Sequence, residues 1–364
     1  MIDYSDIDKM NKTELEEFIS YAETQKHKAD KLQHAVKILL NSLYGALGTN
    51  YFRLYNVKCA EAITKTGQTV TAESFDLFNS YLDKVTKVEK DRILFSDTDS
   101  AAVDFTEFVE IMFSGKSFKE KFRGMKKLAD GHFNKLLEKR FEDFAKLLNS
   151  VENSINMKRE KIAEGILVAK KNYAVNVFDN EGVEYATPKL SVTGLESVKA
   201  STPKFFRKKL EEGYKISFGD NEEDIHKFVE NVHDELSTLE IDELAGSITV
   251  NNLDKYSDGA GGFISGTPGH VRGAIAYNNL IGNSTKYEQI KNGSKVKIVQ
   301  LKEPNPLGSK NLCFPDKFPE DLISKDYISI EKDYEKFFIV PIKRVLDVIG
   351  WKTEQGISLE NFWE

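Results

Sequence analysis

The sequence has 364 residues, of which 40% are hydrophobic and 30% charged, and its formal net charge is −7. This length allows two or three domains with sizeable cores, and the composition is ordinary for a soluble globular protein. No apolar run approaches the roughly 18 residues that span a membrane, so we expect no membrane partner. The net charge argues weakly against nucleic-acid binding, but basic residues cluster locally and the whole-chain charge does not decide the matter.

The first predicted element is a long helix from about residue 14 to Leu47, ending in glycines. The segment from Thr13 to Glu16 fits a capping box, and we allow for a break near residues 25–27. Near the end of the helix, apolar side chains recur on one face, which predicts a stripe that enters the core. The members of this stripe are Val36, Leu39, Leu40, Leu43 and Leu47.

A second face of this helix carries Lys37, Asn41, Tyr44 and Gly48, which form a row of cation, amide, aromatic ring and glycine. A lysine in this position can hold a phosphate as a point charge. Tyr44 and Gly45 can offer a flat surface that a base pair approaches closely. The alternative is a half-exposed polar face with a C-terminal glycine cap and no ligand. Taken alone, the pattern fits this alternative more often.

Residues 59–84 predict a second helix, and residues 92–105 predict a hairpin with Asp97 and Asp99 at its tip. Two carboxylates at one tip favour a hard divalent cation, and Mg²⁺ takes carboxylate oxygens together with substrate phosphates. Such a metal suits phosphoryl or nucleotidyl transfer. A solvated acidic loop is the common alternative. A calcium loop is excluded because Ala102 occupies the sixth position, where glycine is required.

The remainder of the chain predicts a mixture of helices and strands. Residues 107–150 have a helical pattern. Residues 162–168 and 173–178 alternate like strands, and 179–182 favour a turn before a further strand. From residue 201 the pattern becomes helical again.

Three of these segments resemble motifs of one family, in the family's order. Lys37-Ile-Leu-Leu-Asn41-Ser42-Leu-Tyr44-Gly45 resembles the K-x-x-x-N-S-x-Y-G signature of family B DNA polymerases. Ser96-Asp97-Thr98-Asp99-Ser100 resembles their D-T-D-S palm motif, and Lys170-Lys171-Asn172-Tyr173 resembles the K-K-x-Y motif that follows. The surrounding sequence is similar to polymerases of T-even-type tailed phages from about residue 30 onward.

The resemblance implies an α+β fold that forms part of the polymerase right hand. We expect helical fingers in residues 1–50, a palm with an antiparallel sheet in 51–194, and a mostly helical thumb in 195–364. The implied activity is that of a DNA-directed DNA polymerase, with template-directed nucleotidyl transfer by a two-metal mechanism. It implies Mg²⁺ as cofactor, dNTPs and primer–template DNA as substrates, and the cytoplasm of an infected bacterial host as location.

The resemblance also assigns roles to individual residues. Asp99 and Asp97 would be catalytic and hold metal, with Glu160 as an outlying acidic metal partner. The residues expected to bind nucleotide are Lys37, Asn41, Tyr44 and Gly45. The residues expected to contact DNA are Lys170, Lys171, Tyr173 and Lys204. The residues expected to dock on a sliding clamp are Leu359, Phe362 and Trp363, and the alternative is that the two aromatics fold back on the thumb.

Two elements of the family pattern are missing from the sequence. In the family the second palm aspartate comes from an upstream D-x-x-S-L-Y-P-S motif, which this sequence lacks together with the exonuclease domain. One carboxylate pair cannot hold two ions about 3.5–4 Å apart in catalytic geometry, so we expect almost no activity without an N-terminal partner chain.

Met1 and the capping box favour a naturally split gene, and a shortened form is the alternative. A non-catalytic DNA-binding or processivity subunit and a replisome scaffold are the other functions considered.

Overall fold

A computed structural model of the chain describes residue 7 and residues 10–97, 99–259 and 261–354. The chain divides into two compact units, residues 1–158 and residues 159–364. Both contain helices together with small antiparallel sheets, which confirms the predicted α+β class. The division into fingers, palm and thumb, and the right-hand fold, stay predictions.

The first unit consists of helices and one β-hairpin. Its helices are α1 (Lys12–Leu47), α2 (Val57–Thr86), α3 (Thr106–Met112), α4 (Phe118–Lys127) and α5 (Asn134–Leu147). Its strands are β1 (Ile93–Asp97) and β2 (Ser100–Val103). The strands pair antiparallel from Ile93↔Val103 to Asp97↔Ser100, as the acidic turn between apolar segments predicted. A π-helical turn at Leu128–Phe133 joins α4 to α5.

Helix α1 begins earlier than predicted and runs without a break through residues 25–27. The backbone N–H of Glu14 donates to Asn11 Oδ1 at 3.1 Å, and the Glu14 carboxylate accepts from the Asn11 N–H at 2.9 Å. The capping box is therefore built on Asn11 and not on Thr13, so that prediction was wrong by two positions. Asn11 satisfies the same orphan helix donors that a threonine would.

The predicted core stripe of α1 does not enter a core. None of the residues of α1 is buried, and Leu39 and Leu40 are 71% and 64% exposed. We call the exposed apolar side chains Val36, Leu39, Leu40 and Leu43 the α1 stripe. The prediction was wrong because helical spacing shows that apolar residues share a face but does not identify what covers it.

The core of the first unit forms where α2 meets the helices that follow the hairpin. Buried side chains from α2, α3 and the α4–α5 segment make one cluster, which contains Leu82, Phe108, Met125, Ala129 and Phe133. Val103 and Phe105 pack against this cluster, so the hairpin is attached to it by its second strand and the residues that follow. A second cluster joins α2 to α5 through Val70, Leu137, Phe141 and Phe144.

The second unit contains two three-stranded antiparallel sheets, ordered β3-β4-β5 and β6-β7-β8. Its strands are β3 (Lys161–Ala169), β4 (Asn172–Asn180), β5 (Val183–Thr193), β6 (Gly246–Thr249), β7 (Lys295–Gln300) and β8 (Asn311–Phe314). Its helices are α6 (Lys204–Ile216), α7 (Glu222–Glu235), α8 (Ile241–Leu244), α9 (Leu253–Tyr256), α10 (Gly269–Ile281), α11 (Ile330–Tyr334) and α12 (Val340–Ile349). The pattern predicted β3, β4, the turn after them and a further strand, which is β5, but no pattern was assigned to β6–β8.

Two hydrophobic cores hold the second unit together. One lies between the β3–β4 sheet and helices α6, α7 and α12, with Phe206, Leu210 and Ile342 fully buried. The other lies between α10 and the β6–β8 sheet. A Cβ at Gly273 would lie 3.0 Å from the carbonyl oxygen of Asn311, so only glycine lets α10 approach β8 this closely.

Candidate functional site

The acidic tip of the β1–β2 hairpin places two exposed carboxylates on one tight turn. Asp97 ends β1, and its carbonyl oxygen accepts the N–H of Asp99 at 2.8 Å and the hydroxyl of Ser100 at 3.1 Å. Asp97 and Asp99 are both exposed. Their oxygens are hard donors of the kind that Mg²⁺ takes. Among the described residues no group of three or more His, Cys, Asp or Glu side chains is placed to hold a metal ion.

The predicted nucleotide-binding residues lie together on the exposed surface of α1. Lys37 and Asn41 are one helical turn apart, and Tyr44, which is 43% exposed, follows on the same face. A Cβ built at Gly45 would meet no atom within 4 Å, so the helix surface beside the tyrosine ring is open. This arrangement leaves a cation, an amide and an aromatic ring accessible to a ligand from one side of the helix.

The predicted DNA-contacting lysines form the turn between β3 and β4. Ala169 pairs with Asn172, so Lys170 and Lys171 make a two-residue turn, and Lys171 adopts a left-handed backbone with φ of 60°. A Cβ at Gly194 would lie 2.0 Å from the carbonyl oxygen of Lys171, so the turn requires glycine at that position. Both lysines are exposed.

Tyr173 and Lys204 complete the predicted DNA-contacting set. Tyr173 is half-buried in β4, where it pairs with Leu167 and Thr193 on the two neighbouring strands. Lys204 is exposed at the start of α6, directly after Pro203. The sheet therefore fixes the backbone of the tyrosine, whereas the lysine is presented at a helix end.

Glu160 lies immediately before β3 in the second unit and is exposed. Its carboxylate is 3.2 Å from Lys161 Nζ, and its carbonyl oxygen accepts the N–H of Glu181 at 2.6 Å. The neighbouring Arg159 forms an ion pair with the fully buried Asp179. These contacts tie the backbone at Glu160 to the β4–β5 turn.

The structure groups the candidate residues by unit. The nucleotide-binding residues and the two aspartates lie in the first unit, whereas Glu160 and the DNA-contacting residues lie in the second. The predicted clamp-docking residues Leu359, Phe362 and Trp363 lie outside the described residues. Within the described part of the chain, every helix is too short or too polar to cross a bilayer.

Sequence reasoning missed the contacts that fix these segments. Arg92 is 1% exposed at the base of the hairpin, and Asp179 is fully buried beside the Glu160 segment. A charged residue at the start of the predicted hairpin was the available signal at Arg92. Its burial depends on α2 and α3, and no local pattern predicts that.

Comparison with known proteins identifies the family. The model of DNA polymerase family B matches residues 8–128, which include the α1 face and the hairpin. The chain is 32% identical to a DNA-directed DNA polymerase of Escherichia phage RB69 over its whole length, covering 42% of that relative. It is 31% identical to a DNA-directed DNA polymerase of Enterobacteria phage T4, over 89% of the chain and 38% of the relative.

A more distant relative, DNA polymerase 1 of Sulfurisphaera ohwakuensis, is 24% identical over 77% of the chain. The chain belongs to the family B DNA polymerases and, within them, to the type found in the T-even phages. This confirms the resemblance read from the three motifs. The chain spans about two fifths of the length of the two phage relatives.

Proposed function

We propose that this chain forms part of the active site of a DNA-directed DNA polymerase, which extends a primer by template-directed nucleotidyl transfer. The observation that carries the proposal is the pair of exposed carboxylates, Asp97 and Asp99, at the tip of a hairpin inside the family-matched region. The open face of α1 with Lys37 and Asn41 supports it, because transfer of a nucleotide needs groups that hold a triphosphate. The location that follows is the cytoplasm of an infected bacterial host.

The residues of the first unit would bind and orient the incoming nucleotide. Lys37 and Asn41 would contact its phosphates, where a lysine neutralises charge as the phosphoryl group moves in line. Tyr44 and Gly45 would flank the new base pair, and any side chain at position 45 would occupy space that is now open. This assignment gives each accessible group of the face a distinct task.

The two aspartates would hold Mg²⁺, with Glu160 as an outlying acidic partner. Mg²⁺ bound there would stabilise the charge on the attacking and leaving oxygens. The donor set fits a hard cation but is incomplete, because transfer by two ions requires a carboxylate from another strand. In the family that carboxylate belongs to the D-x-x-S-L-Y-P-S motif, which the sequence does not contain.

We therefore infer that the active site is completed by the N-terminal part of a polymerase, which also carries the exonuclease. The α1 stripe supports this inference. It presents four large apolar side chains to solvent at helical spacing, a pattern expected of a helix that packs against a second helix. A helix of the N-terminal part is the occupant that we assign to it.

Residues of the second unit would hold the primer–template. Lys170 and Lys171 project from a tight turn, and Lys204 from a helix start, which suits contacts to backbone phosphates. Tyr173 would lie against the minor groove or backbone. Because such contacts release counterions, DNA affinity should fall steeply as the salt concentration rises. The tail with Leu359, Phe362 and Trp363 would dock on a sliding clamp.

Asp99→Ala tests the proposed chemistry in the complex with the N-terminal part. We expect primer extension to fall by several orders of magnitude while primer–template affinity stays the same, because the lost ligand acts chiefly on the transition state. Primer extension in single turnover and DNA binding by fluorescence anisotropy measure the two quantities. Near-normal extension by this variant would remove Asp99 from the chemistry. DNA binding without any extension by the wild-type complex would favour a non-catalytic processivity subunit.

A further inference from the structure

The base of the β1–β2 hairpin contains a buried arginine that the proposed chemistry does not use. The Arg92 side chain is 1% exposed, and its guanidinium group contacts both neighbouring helices. It forms an ion pair with Asp83 of α2 and lies 3.3 Å from the Glu107 carboxylate at the start of α3. It also donates to Thr86 Oγ1 at 2.7 Å and to the carbonyl oxygen of Val88 at 2.9 Å.

The backbone at Arg92 is fixed as firmly as its side chain. Its N–H donates to Asn79 Oδ1 on α2 at 3.0 Å, and its carbonyl oxygen accepts the N–H of Asp104 at 2.8 Å. The second contact closes the hairpin at its base. Asn79 also donates to the Asp91 carboxylate at 3.0 Å. Two consecutive residues before β1, Asp91 and Arg92, are therefore both hydrogen-bonded to α2.

Lys90 extends this network on its exposed side. Its Nζ is 2.9 Å from Glu107 and 3.6 Å from Asp104. The hydrogen bond from Lys90 lowers the pKa of the Glu107 carboxyl, and the Arg92 charge adds to the effect. Glu107 is therefore held ionised between two cations, where it links the start of α3 to the base of the hairpin.

These contacts matter at the tip because the hairpin itself is short. A two-stranded hairpin is marginal without support, so the orientation of this one depends on how its base is held. Asp97 lies five positions after Arg92, which is about 16 Å along an extended strand, so a rotation of about 5° at the base moves the tip by about 1.4 Å. Displacements of this size in a catalytic group reduce rates strongly.

We infer that Arg92 is a positioning residue, which holds Asp97 and Asp99 at the place where they bind metal by fixing the hairpin to α2 and α3. The inference rests on the proposed function of the two aspartates. A purely structural role would leave the same arginine stabilising the fold without any effect on how the tip binds metal. The two roles differ in one measurable quantity, the Mg²⁺ concentration that gives half-maximal extension.

The test uses Arg92→Met in the complex with the N-terminal part of the polymerase. Methionine fills the buried space, and the Asp83 and Glu107 side chains, 25% and 43% exposed, can hydrate once the arginine is removed. We expect the half-saturating Mg²⁺ concentration to rise and turnover at saturating Mg²⁺ to fall, each by about 10- to 100-fold, the range seen when the support of a metal ligand is lost. Primer–template affinity should not change.

Glu107→Gln provides a second variant that keeps a hydrogen-bonding side chain on an exposed position and should fold even if Arg92→Met does not. It should shift the Mg²⁺ dependence in the same direction by a smaller factor. Arg140→Met is the control, since it removes an ion pair of 2.6 Å between Arg140 of α5 and Glu73 of α2, neither of which belongs to the Arg92 network. The control should keep the wild-type Mg²⁺ dependence.

The half-saturating concentration does not depend on how much of the protein is active, so partial unfolding cannot imitate the expected shift. A wild-type value in both Arg92→Met and Glu107→Gln, with only the amount of active enzyme reduced, would overturn the positioning role. That result together with an inactive Asp99→Ala would leave the proposed function intact. Full activity of Asp99→Ala would instead remove the proposed function.

Discussion

Leu40 lies on the α1 stripe, and its replacement by alanine separates a surface that binds a partner from a surface that belongs to a core. In this chain the Leu40 side chain is 64% exposed, so Leu40→Ala should leave the melting temperature of the free chain unchanged. The helix itself should not weaken, because alanine favours the helical state at least as well as leucine. The effect should be seen only when the N-terminal part of the polymerase is present.

The size of that effect follows from the exposed fraction. Leucine has three more carbon groups than alanine, each stabilising a buried position by about 0.8 kcal/mol, so complete burial of all three contributes about 2.4 kcal/mol. Scaling by the 64% of the side chain that is still exposed gives about 1.5 kcal/mol for burial by a partner. A loss of this size raises the dissociation constant of the complex about tenfold.

Isothermal titration calorimetry with the N-terminal part measures the dissociation constant, and circular dichroism measures the melting temperature of the free chain. Leu82→Ala is the matched control, because Leu82 is fully buried in α2 and its truncation should destabilise the free chain by about 2–5 kcal/mol. If Leu40→Ala destabilises the free chain as Leu82→Ala does and leaves the affinity unchanged, the stripe is part of a core and the reasoning fails.

Three further predictions concern other parts of the chain. Lys37→Ala should lower kcat/KM for nucleotide by an amount equivalent to about 1–3 kcal/mol of lost transition-state stabilisation, the scale of a charge-assisted contact, without lowering the melting temperature. Unchanged nucleotide kinetics would contradict its role. Deletion of residues 358–364 should leave thermal stability and short-primer extension intact but abolish stimulation by the sliding clamp; a lower melting temperature with clamp stimulation intact would place these residues in the fold. Burial raises the pKa of Asp333 from 3.8 to about 6, although Gln300 and Lys336 act to lower it. The folded state therefore binds the proton more tightly than the unfolded state, and the protein loses about 3 kcal/mol of stability as the pH rises from about 4 to 6. Asp333→Asn should match the wild type at pH 4 and be more stable at pH 7 in chemical denaturation, and equal stability at both pH values would contradict this.

The parts of the fold that sequence predicted well are those fixed by local pattern. The hairpin was predicted with its pairing because apolar segments flank a turn that carries Asp97 and Asp99. The long helix was predicted, but its cap was placed at Thr13 because two overlapping residue patterns fit a capping box and only the backbone decides between them. The β3–β4 strands were predicted from alternation alone.

The parts that sequence did not predict depend on contacts between distant residues. The short strands of the β6–β8 sheet are stabilised by α10, which approaches β8 closely at Gly273. The four residues of β8 are too few to show the alternation of a strand in the sequence. The burial of Arg92 requires carboxylates from two other helices. The α1 stripe was assigned to a core because helical spacing identifies an apolar face but does not show whether the same chain or another one covers it.

The identity of the motif residues came from family resemblance and not from geometry. Lys37 and Asp99 are exposed polar residues whose immediate surroundings fit many roles. Their order and spacing along the chain carry the information, and the family match over residues 8–128 agrees with it. The physical contribution of the structure is to place them on accessible surfaces, where ligands can reach them.

The central claim is that this chain contributes part of a polymerase active site that a second polypeptide segment completes. Primer extension with Mg²⁺ and dNTPs tests it most directly, with the chain alone and with the segment that carries D-x-x-S-L-Y-P-S, supplied separately or fused ahead of residue 1. We expect no extension above background from the chain alone and Mg²⁺-dependent extension once the segment is present. Robust extension by the purified chain alone, or none after the segment is supplied and bound, would contradict the account.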